Sequence, residues 1–140
     1  MYLLKIYCGL FLLFTIRLGA QFQLLIEIEN IEIPQGTLFL SLFDSQEGYE
    51  NNKTPENFFK RIPISKKKAQ LVFENLPRGL YAIKAYLDTN KNNELDTNFL
   101  GVPKEQYGFS NNKMGTLGPP SFATSRFEVS QNTVHQLILK

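Results

Sequence analysis

Apolar and polar residues alternate along much of the chain after residue 20, which is typical of half-buried β-strands. The first run places Phe22, Leu24, Ile26 and Ile28 on one side, with polar residues between most of them. Turn-forming residues separate the runs, and no segment between them has a helical period. We predict seven strands, at about residues 22–28, 37–43, 58–64, 69–73, 80–87, 122–129 and 133–139. The pattern therefore predicts an all-β fold, a single antiparallel β-sandwich of about seven strands.

The predicted strands and their connections differ in character. Residues 37–43 are apolar on both faces, which predicts a central position in a sheet. Residues 44–57 are polar and turn-prone, so they predict a long loop. The three lysines at 66–68 are better explained as a solvated hairpin turn than as a polyanion site.

A tight turn is predicted at residues 75–79, where Pro77 fixes a turn-like φ and Gly79 can adopt a positive φ. Tyr81 follows at the start of the next predicted strand. A tyrosine in this place can pack its ring inward while its hydroxyl holds nearby backbone. We therefore assign Tyr81 a structural role.

Residues 1–20 have the pattern of a secretory signal peptide. Lys5 supplies the positive start, residues 6–16 are almost wholly apolar, and the segment ends in small residues at Gly19-Ala20. A retained membrane anchor is the alternative, but the apolar run is shorter than the ~20 residues that a bilayer requires. We predict a signal peptide at 1–20, a β-sandwich domain at 21–140, and a secreted or periplasmic protein without membrane insertion after cleavage.

Removal of this segment changes the charge and the cysteine content. The formal net charge of +2 is contributed by Lys5 and Arg17, since residues 1–20 contain no acid. The remaining domain is neutral, so the sequence does not favour nucleic acid as a partner. Cys8 is the only cysteine, so no disulfide or thiolate site is expected in the domain.

Oxygen-bearing side chains recur between residues 88 and 96 with the spacing of a calcium-binding loop. Asp88, Asn90 and Asn92 match the first, third and fifth ligand positions, the backbone carbonyl of Glu94 the seventh, and Asp96 the ninth. Ca²⁺ takes six to eight oxygen ligands, and this segment offers several from one turn. The alternative is an Asn-rich turn, in which such side chains cap local backbone amides.

Two positions depart from the calcium-loop pattern. Asn93 replaces the expected glycine, although asparagine tolerates a left-handed φ better than most residues. Phe99 stands where a bidentate glutamate belongs, so a calcium site here would lack its strongest ligand.

The segment from residue 98 to residue 112 mixes aromatic, Gly and Asn residues. Aromatic rings beside amides can stack on and hydrogen-bond a glycan or a small ligand. The alternative is that the rings anchor a long loop across one end of the sandwich. The candidate ligand-binding residues are Phe99, Tyr107, Phe109, Asn111 and Asn112.

Longer stretches carry a family resemblance. The runs LPRGLYAIKAYLDTNKNNELD, DTNFLGVPKEQYGFSNN and LGPPSFATSRFEV together resemble the small secreted bacterial proteins called domain of unknown function 2141. The strand, Leu-Pro-x-Gly turn and x-Tyr-x-aliphatic strand are similar to transthyretin-like (prealbumin-like) sandwiches, which also share the immunoglobulin-like architecture. The resemblance implies an exported β-sandwich and carries no established activity. Its usual loop reads D-x-N-x-N-G-x-x-D, from which Asn93 departs.

Catalytic patterns are scarce. His135 is isolated, and the chain has no G-x-S-x-G elbow, P-loop or dinucleotide fingerprint. A hydrolase using carboxylates from Asp44, Asp88, Asp96 and Glu105 is the third hypothesis, because the sequence does not place them at a catalytic separation. We predict a non-catalytic module whose partner is an envelope protein or a glycan.

Overall fold

The computed structural model describes residues 19–140, so the predicted signal peptide lies almost wholly outside the described residues. It confirms the all-β class but has eight strands rather than seven. Within these residues there are two short α-helices, α1 (Gln46–Glu50) and α2 (Phe122–Ser125), and two 3₁₀ turns, Glu56–Phe58 and Ser110–Asn112. No helix within residues 19–140 is long and apolar enough to cross a membrane. The strands are β1 (Gln21–Glu29), β2 (Thr37–Phe43), β3 (Phe59–Pro63), β4 (Ala69–Pro77), β5 (Gly79–Asp88), β6 (Tyr107–Phe109), β7 (Phe127–Val129) and β8 (Thr133–Ile138).

The strands form two sheets. The first has the order β4-β1-β8, and the second has the order β3-β2-β5-β6, with β7 also paired to β5. β2 lies between β3 and β5, which confirms its predicted central position. The antiparallel prediction was wrong for one pair, because β1 and β8 run parallel, with Leu24 opposite Thr133.

The hydrophobic core lies between the sheets, because each strand directs alternate side chains inward. In β1 the inward residues Leu24, Ile26 and Ile28 are fully buried. Their counterparts on β2 are Leu38, Leu40 and Leu42. A second, smaller cluster on the outer face of the second sheet joins the sheet to both helices; it contains Phe43, Tyr49, Ala82 and Phe122.

Two local predictions were wrong, and one strand was not predicted. The lysines at 66–68 are exposed as expected, but they join β3 in one sheet to β4 in the other, so they do not close a hairpin. The strand predicted at 122–129 begins as α2, whose N-cap Ser121 accepts a hydrogen bond from the Thr124 backbone. β6 was not predicted, since three residues are too few to show an alternating pattern.

The chain changes sheets between β4 and β5 at Arg78, and Tyr81 holds this corner. The Tyr81 hydroxyl donates to the Pro77 carbonyl at 2.8 Å, and its ring is buried. This contact confirms the structural role predicted for Tyr81. Gly79 does not adopt the positive φ that the turn prediction allowed, and a Cβ there would make only ordinary contact with the Tyr81 ring, at 3.4 Å.

Candidate functional site

Asp88 organises the loop that follows β5. Its carboxylate is buried, with only 1% of the residue exposed. One oxygen accepts hydrogen bonds from the backbone of Lys91 at 2.7 Å and of Asn92 at 3.2 Å. The other accepts from the backbone of Asn93 at 2.9 Å. The loop is therefore wrapped around a single carboxylate, which caps three consecutive backbone amides.

Asn90, Asn92 and Asp96 converge beside it. The Asn92 amide nitrogen donates to one carboxylate oxygen of Asp96 at 3.0 Å, and the Asn90 amide nitrogen donates to the other. Each asparagine also accepts a backbone hydrogen bond from two residues further on, at 3.1 Å from Asn92 and 3.0 Å from Glu94. The structure thus brings the four predicted side chains together, while the Glu94 side chain is exposed.

Two residues of the loop adopt left-handed backbone. Asn93 has a φ of 65° and Lys91 a φ of 64°. Asn93 therefore takes the conformation expected of the glycine that it replaces. The Tyr86 hydroxyl donates to the Asn93 carbonyl at 3.2 Å, which ties the loop back to β5.

Phe99 does not contribute to the loop. It is 95% exposed on a tight turn, in which the Asn98 side chain accepts backbone hydrogen bonds from Leu100 and Val102 at 2.9 and 3.0 Å. Phe99 is also absent from the groove lined by the other predicted aromatic residues.

Glu105 is a loop residue whose role sequence reasoning missed. One of its oxygens accepts from the Thr89 backbone at 2.8 Å and from the Thr89 hydroxyl. The other accepts from the Asp96 backbone at 3.2 Å. Glu105 lies nine residues after Asp96, beyond the calcium-loop pattern of residues 88–96, so that pattern did not indicate its contact with the loop.

The carboxylates of the hydrolase hypothesis do not all meet. Asp88 and Asp96 lie in one loop, and Glu105 braces it. Asp44 follows β2, which pairs with β5 so that Thr37 is opposite Asp88 and Phe43 is opposite Ala82. Asp44 is therefore at the other end of the sheet from the remaining three.

Within residues 19–140, no group of three or more His, Cys, Asp or Glu side chains has an arrangement that could hold a metal ion. A cation in the Asp88–Asp96 loop would therefore depend on amide and backbone oxygens as well as carboxylates. That donor set contains only oxygen, which suits a hard cation such as Ca²⁺.

Side chains of the run Tyr107–Asn112 form hydrogen bonds with β5, α2 and β8. β5 pairs with β6 through residues 84–86 and with β7 through residues 79–81, which leaves Ala82 and Ile83 between the two. Ser110 fills this gap, because its hydroxyl oxygen accepts from the Ile83 backbone at 2.8 Å. The same hydroxyl donates to the Ser125 carbonyl at the end of α2. Ser110 therefore bridges the two short strands along one edge of β5.

The side-chain amides of the next two residues form further hydrogen bonds with the backbone of neighbouring elements. Asn111 donates to the carbonyls of Thr124 and Arg126, at 3.2 and 3.0 Å. Asn112 accepts from the Ile138 backbone at 2.8 Å. Internal contacts thus occupy both predicted ligand-binding amides, which favours the loop-anchor interpretation for them.

Gly108 allows β6 to approach the end of the chain. The backbones of Tyr107 and Lys140 exchange hydrogen bonds of 3.0 and 2.9 Å. A Cβ atom at Gly108 would lie 3.0 Å from the Ile138 carbonyl oxygen and 3.3 Å from the Leu139 side chain. Only glycine fits this approach without displacement of its neighbours.

His135 is half-buried beside the same run. Its ring stacks on Phe127 with the ring centres 4.1 Å apart. Its Nε2 atom accepts a hydrogen bond from the Asn111 backbone at 3.2 Å. Burial lowers the pKa of His135, which favours the neutral ring that this bond requires.

Tyr107 and Phe109 line a groove on the outer face of the second sheet. Phe39, Phe43 and Tyr86 contribute the other aromatic rings, and the space between them is about 330 Å³. Two of the five predicted ligand-binding residues are thus brought together in a concave surface, whereas ligand contact stays a prediction.

Comparison with known proteins gives one match. The family described as "Uncharacterized protein conserved in bacteria (DUF2141)" matches residues 26–136, which span β1 to β8. No curated protein and no solved structure matches the chain. The matched region contains the Asp88 loop and the whole Tyr107–Asn112 run, and it covers well over half of the sequence. The chain therefore belongs to the DUF2141 family.

Proposed function

We propose that this protein is an exported, non-catalytic β-sandwich module in which Ca²⁺ binds and orders the Asp88–Asp96 loop. The observation that carries the proposal is the convergence of Asn90 and Asn92 on the Asp96 carboxylate, beside the buried Asp88. The spacing of a calcium-binding loop in the sequence and the contacts of Asn90 and Asn92 with Asp96 support the proposal independently. Spacing alone does not determine where the side chains point.

The hydrogen-bond arrangement explains how a cation would enter. The two carboxamide NH₂ groups face the Asp96 carboxylate and supply the positive partners that a cation would otherwise provide. Rotation of each carboxamide would present its oxygen instead, which gives Ca²⁺ two amide ligands in addition to Asp96. Glu105 adjoins the loop as a further carboxylate, because it accepts a hydrogen bond from the Asp96 backbone.

The same geometry predicts weak binding. Both oxygens of Asp88 already accept backbone hydrogen bonds, and rotation of Asn90 and Asn92 would break two more. The bidentate glutamate of the twelfth position is replaced by the exposed Phe99. We therefore expect a dissociation constant of about 10⁻⁴ to 10⁻³ M, the range of extracellular calcium modules.

The proposed export rests on residues 1–20, whose basic start, apolar centre and small-residue end form a signal-peptide pattern. The remaining sequence has no cysteine, so the domain needs no particular redox environment. A secreted or periplasmic location also suits a weak calcium site, because such sites are typical of extracellular modules.

Thermal unfolding of the purified protein with calcium and with excess chelator tests the calcium proposal. At one to ten times the dissociation constant, binding to the folded state stabilises by about 0.4 to 1.4 kcal/mol. For a domain of this size the midpoint should rise by about 1 to 6 °C. A saturable rise that equimolar Mg²⁺ does not reproduce supports the proposal, and no shift in metal-free protein refutes it.

A pair of variants localises the effect. Asp96→Asn keeps the side-chain shape but removes one carboxylate charge, so the calcium-dependent rise should disappear. Glu94→Gln is the matched control, because the Glu94 side chain is exposed and only its backbone would be a ligand. A full calcium response in Asp96→Asn would show that the ion binds elsewhere.

A further inference from the structure

A groove lies on the outer face of the second sheet, where the sandwich core does not extend. Its volume of about 330 Å³ is at the lower end of the range for small-molecule sites. Most of its lining is apolar, and the walls carry an ordered set of aromatic rings. Phe39 and Tyr86 stack at 4.9 Å, and Tyr107 meets Phe109 edge to face at 5.8 Å. The space therefore suits one flat ring rather than a chain.

Lys84 is the only charged residue in the lining. It is half-buried, with its Nζ atom 4.1 Å from the centre of the Tyr49 ring and 5.3 Å from that of Phe43. The ammonium group donates to the Tyr49 carbonyl at 2.6 Å and to the Asn52 side chain at 2.7 Å. Both acceptors are uncharged, and a lysine has three N–H donors. One donor therefore remains beyond these two contacts.

No carboxylate neutralises this cation within the described part of the chain. The ion pairs found among residues 19–140 are Lys68–Glu29 and Arg78–Glu128, both at the surface. Burial lowers the pKa of Lys84, as expected when no acid compensates for lost hydration. Lys84 is thus a half-buried cation held by uncharged acceptors and aromatic rings, and an anionic ligand would supply the negative charge that none of these provides.

We propose that this groove binds small aromatic monocarboxylates, with the carboxylate at Lys84 and the ring between the aromatic walls. A single ammonium matches a single negative charge, whereas phosphate recognition favours several donors or an arginine fork. Ser41 and Asn52 add polar groups to the lining, and Asn52 accepts a hydrogen bond from the Lys84 ammonium. The aromatic rings explain why the ligand's body is a flat ring.

The proposed binding of carboxylates in the groove does not depend on calcium binding in the Asp88–Asp96 loop. Lys84 and Tyr86 belong to β5, Phe39 to β2 and Tyr107 to β6, whereas Leu95 is the one lining residue from the Asp88–Asp96 loop. The two proposals therefore fail separately. The binding experiment is run in excess chelator and again in calcium, so a calcium effect on affinity is measured apart from binding itself.

The test is a titration of the purified protein with indole-3-acetate and phenylacetate, followed by amide chemical-shift mapping and calorimetry. Their uncharged amides, indole-3-acetamide and phenylacetamide, are the matched ligands. We expect saturable binding of the acids, at least about tenfold tighter than the amides, because a charge-assisted hydrogen bond is lost in the amides. The shifted signals should belong to residues 39, 84–86 and 107–109.

Lys84→Met should remove the preference for acid over amide, while Lys66→Met on the exposed crossover should retain it. Tyr107→Ala should weaken acids and amides alike, and it provides a second test if Lys84→Met fails to fold. Absence of saturable binding up to about 10 mM, below which site affinities are normally measurable, overturns the proposal. So does equal affinity for acids and amides, or a shift pattern outside the groove.

Discussion

Ser110→Ala is the substitution with the clearest expected effect on stability. Ser110 is fully buried, and its hydroxyl serves Ile83 as an acceptor and Ser125 as a donor. Alanine would leave the Ile83 N–H and the Ser125 carbonyl without these partners, and the site has no exposure through which water could replace them. Each buried polar group left unpaired costs about 1 to 3 kcal/mol. For two groups this amounts to about 2 to 6 kcal/mol, and we expect the lower part of that range, about 2 to 4 kcal/mol, because alanine no longer has a hydroxyl of its own to bury.

The assay is equilibrium unfolding in urea, with the slope of the transition compared between variants. A lower midpoint at an unchanged slope reports a loss of stability rather than a change in compactness. The expected loss corresponds to a fall of roughly 6 to 16 °C in the thermal midpoint. Hydrogen exchange at Ile83 should accelerate more than at Leu87, which keeps its bond to the Gln106 carbonyl at 2.8 Å.

Ser65→Ala is the matched control, because Ser65 is exposed on the crossover between β3 and β4. It should change stability by less than about 0.5 kcal/mol. A Ser110→Ala loss as small as that of the control would refute the reasoning that Ser110 bridges β6 and β7.

Three further outcomes are expected. Tyr81→Phe removes the hydroxyl bond to Pro77 and should cost about 0.5 to 1.5 kcal/mol in the same urea assay. Gly108→Ala forces a Cβ against the Ile138 carbonyl and should cost about 1 to 3 kcal/mol, whereas Gly79→Ala, which has no positive φ and would make only ordinary contact with the Tyr81 ring, should cost less. Burial lowers the pKa of His135, so the folded state binds fewer protons than the unfolded state, and stability should fall as pH drops below the unfolded value of about 6.5. Between about pH 7.5 and 5, the free energy of unfolding should depend less on pH in His135→Phe than in the wild type. The same dependence on pH in both proteins would contradict this assignment to His135.

Most of the strands were predictable because apolar and polar residues alternate locally along the sequence. β1, β2 and β5 each repeat an inward apolar residue at every second position, and burial follows that repeat. The Asp88 loop was equally accessible, since its four side chains lie within nine residues; Asn90 and Asn92 contact Asp96 directly, and Asp88 caps the backbone between them.

The remainder depended on contacts between distant residues. Ser110 meets Ile83 across 27 positions, and Asn112 meets Ile138 across 26, so neither contact leaves a local pattern. β6 is three residues long and consists of the Tyr-Gly-Phe run that suggested a ligand site. The aromatic and amide content of that segment was recognised, but the internal use of Asn111 and Asn112 required the fold.

The pairing of β1 with β8 also bears on the order in which the molecule can be assembled. β1 is the first of the described strands to be synthesised, yet it occupies the middle of its sheet, between β4 and β8. Its contact between Leu24 and Thr133 spans 109 positions, and contacts of such long range slow folding. The three-stranded sheet therefore remains incomplete until β8 has been synthesised. If the proposed export takes place with an extended chain, this topology suits it, because the sheet closes only once β8 is also available to pair with β1.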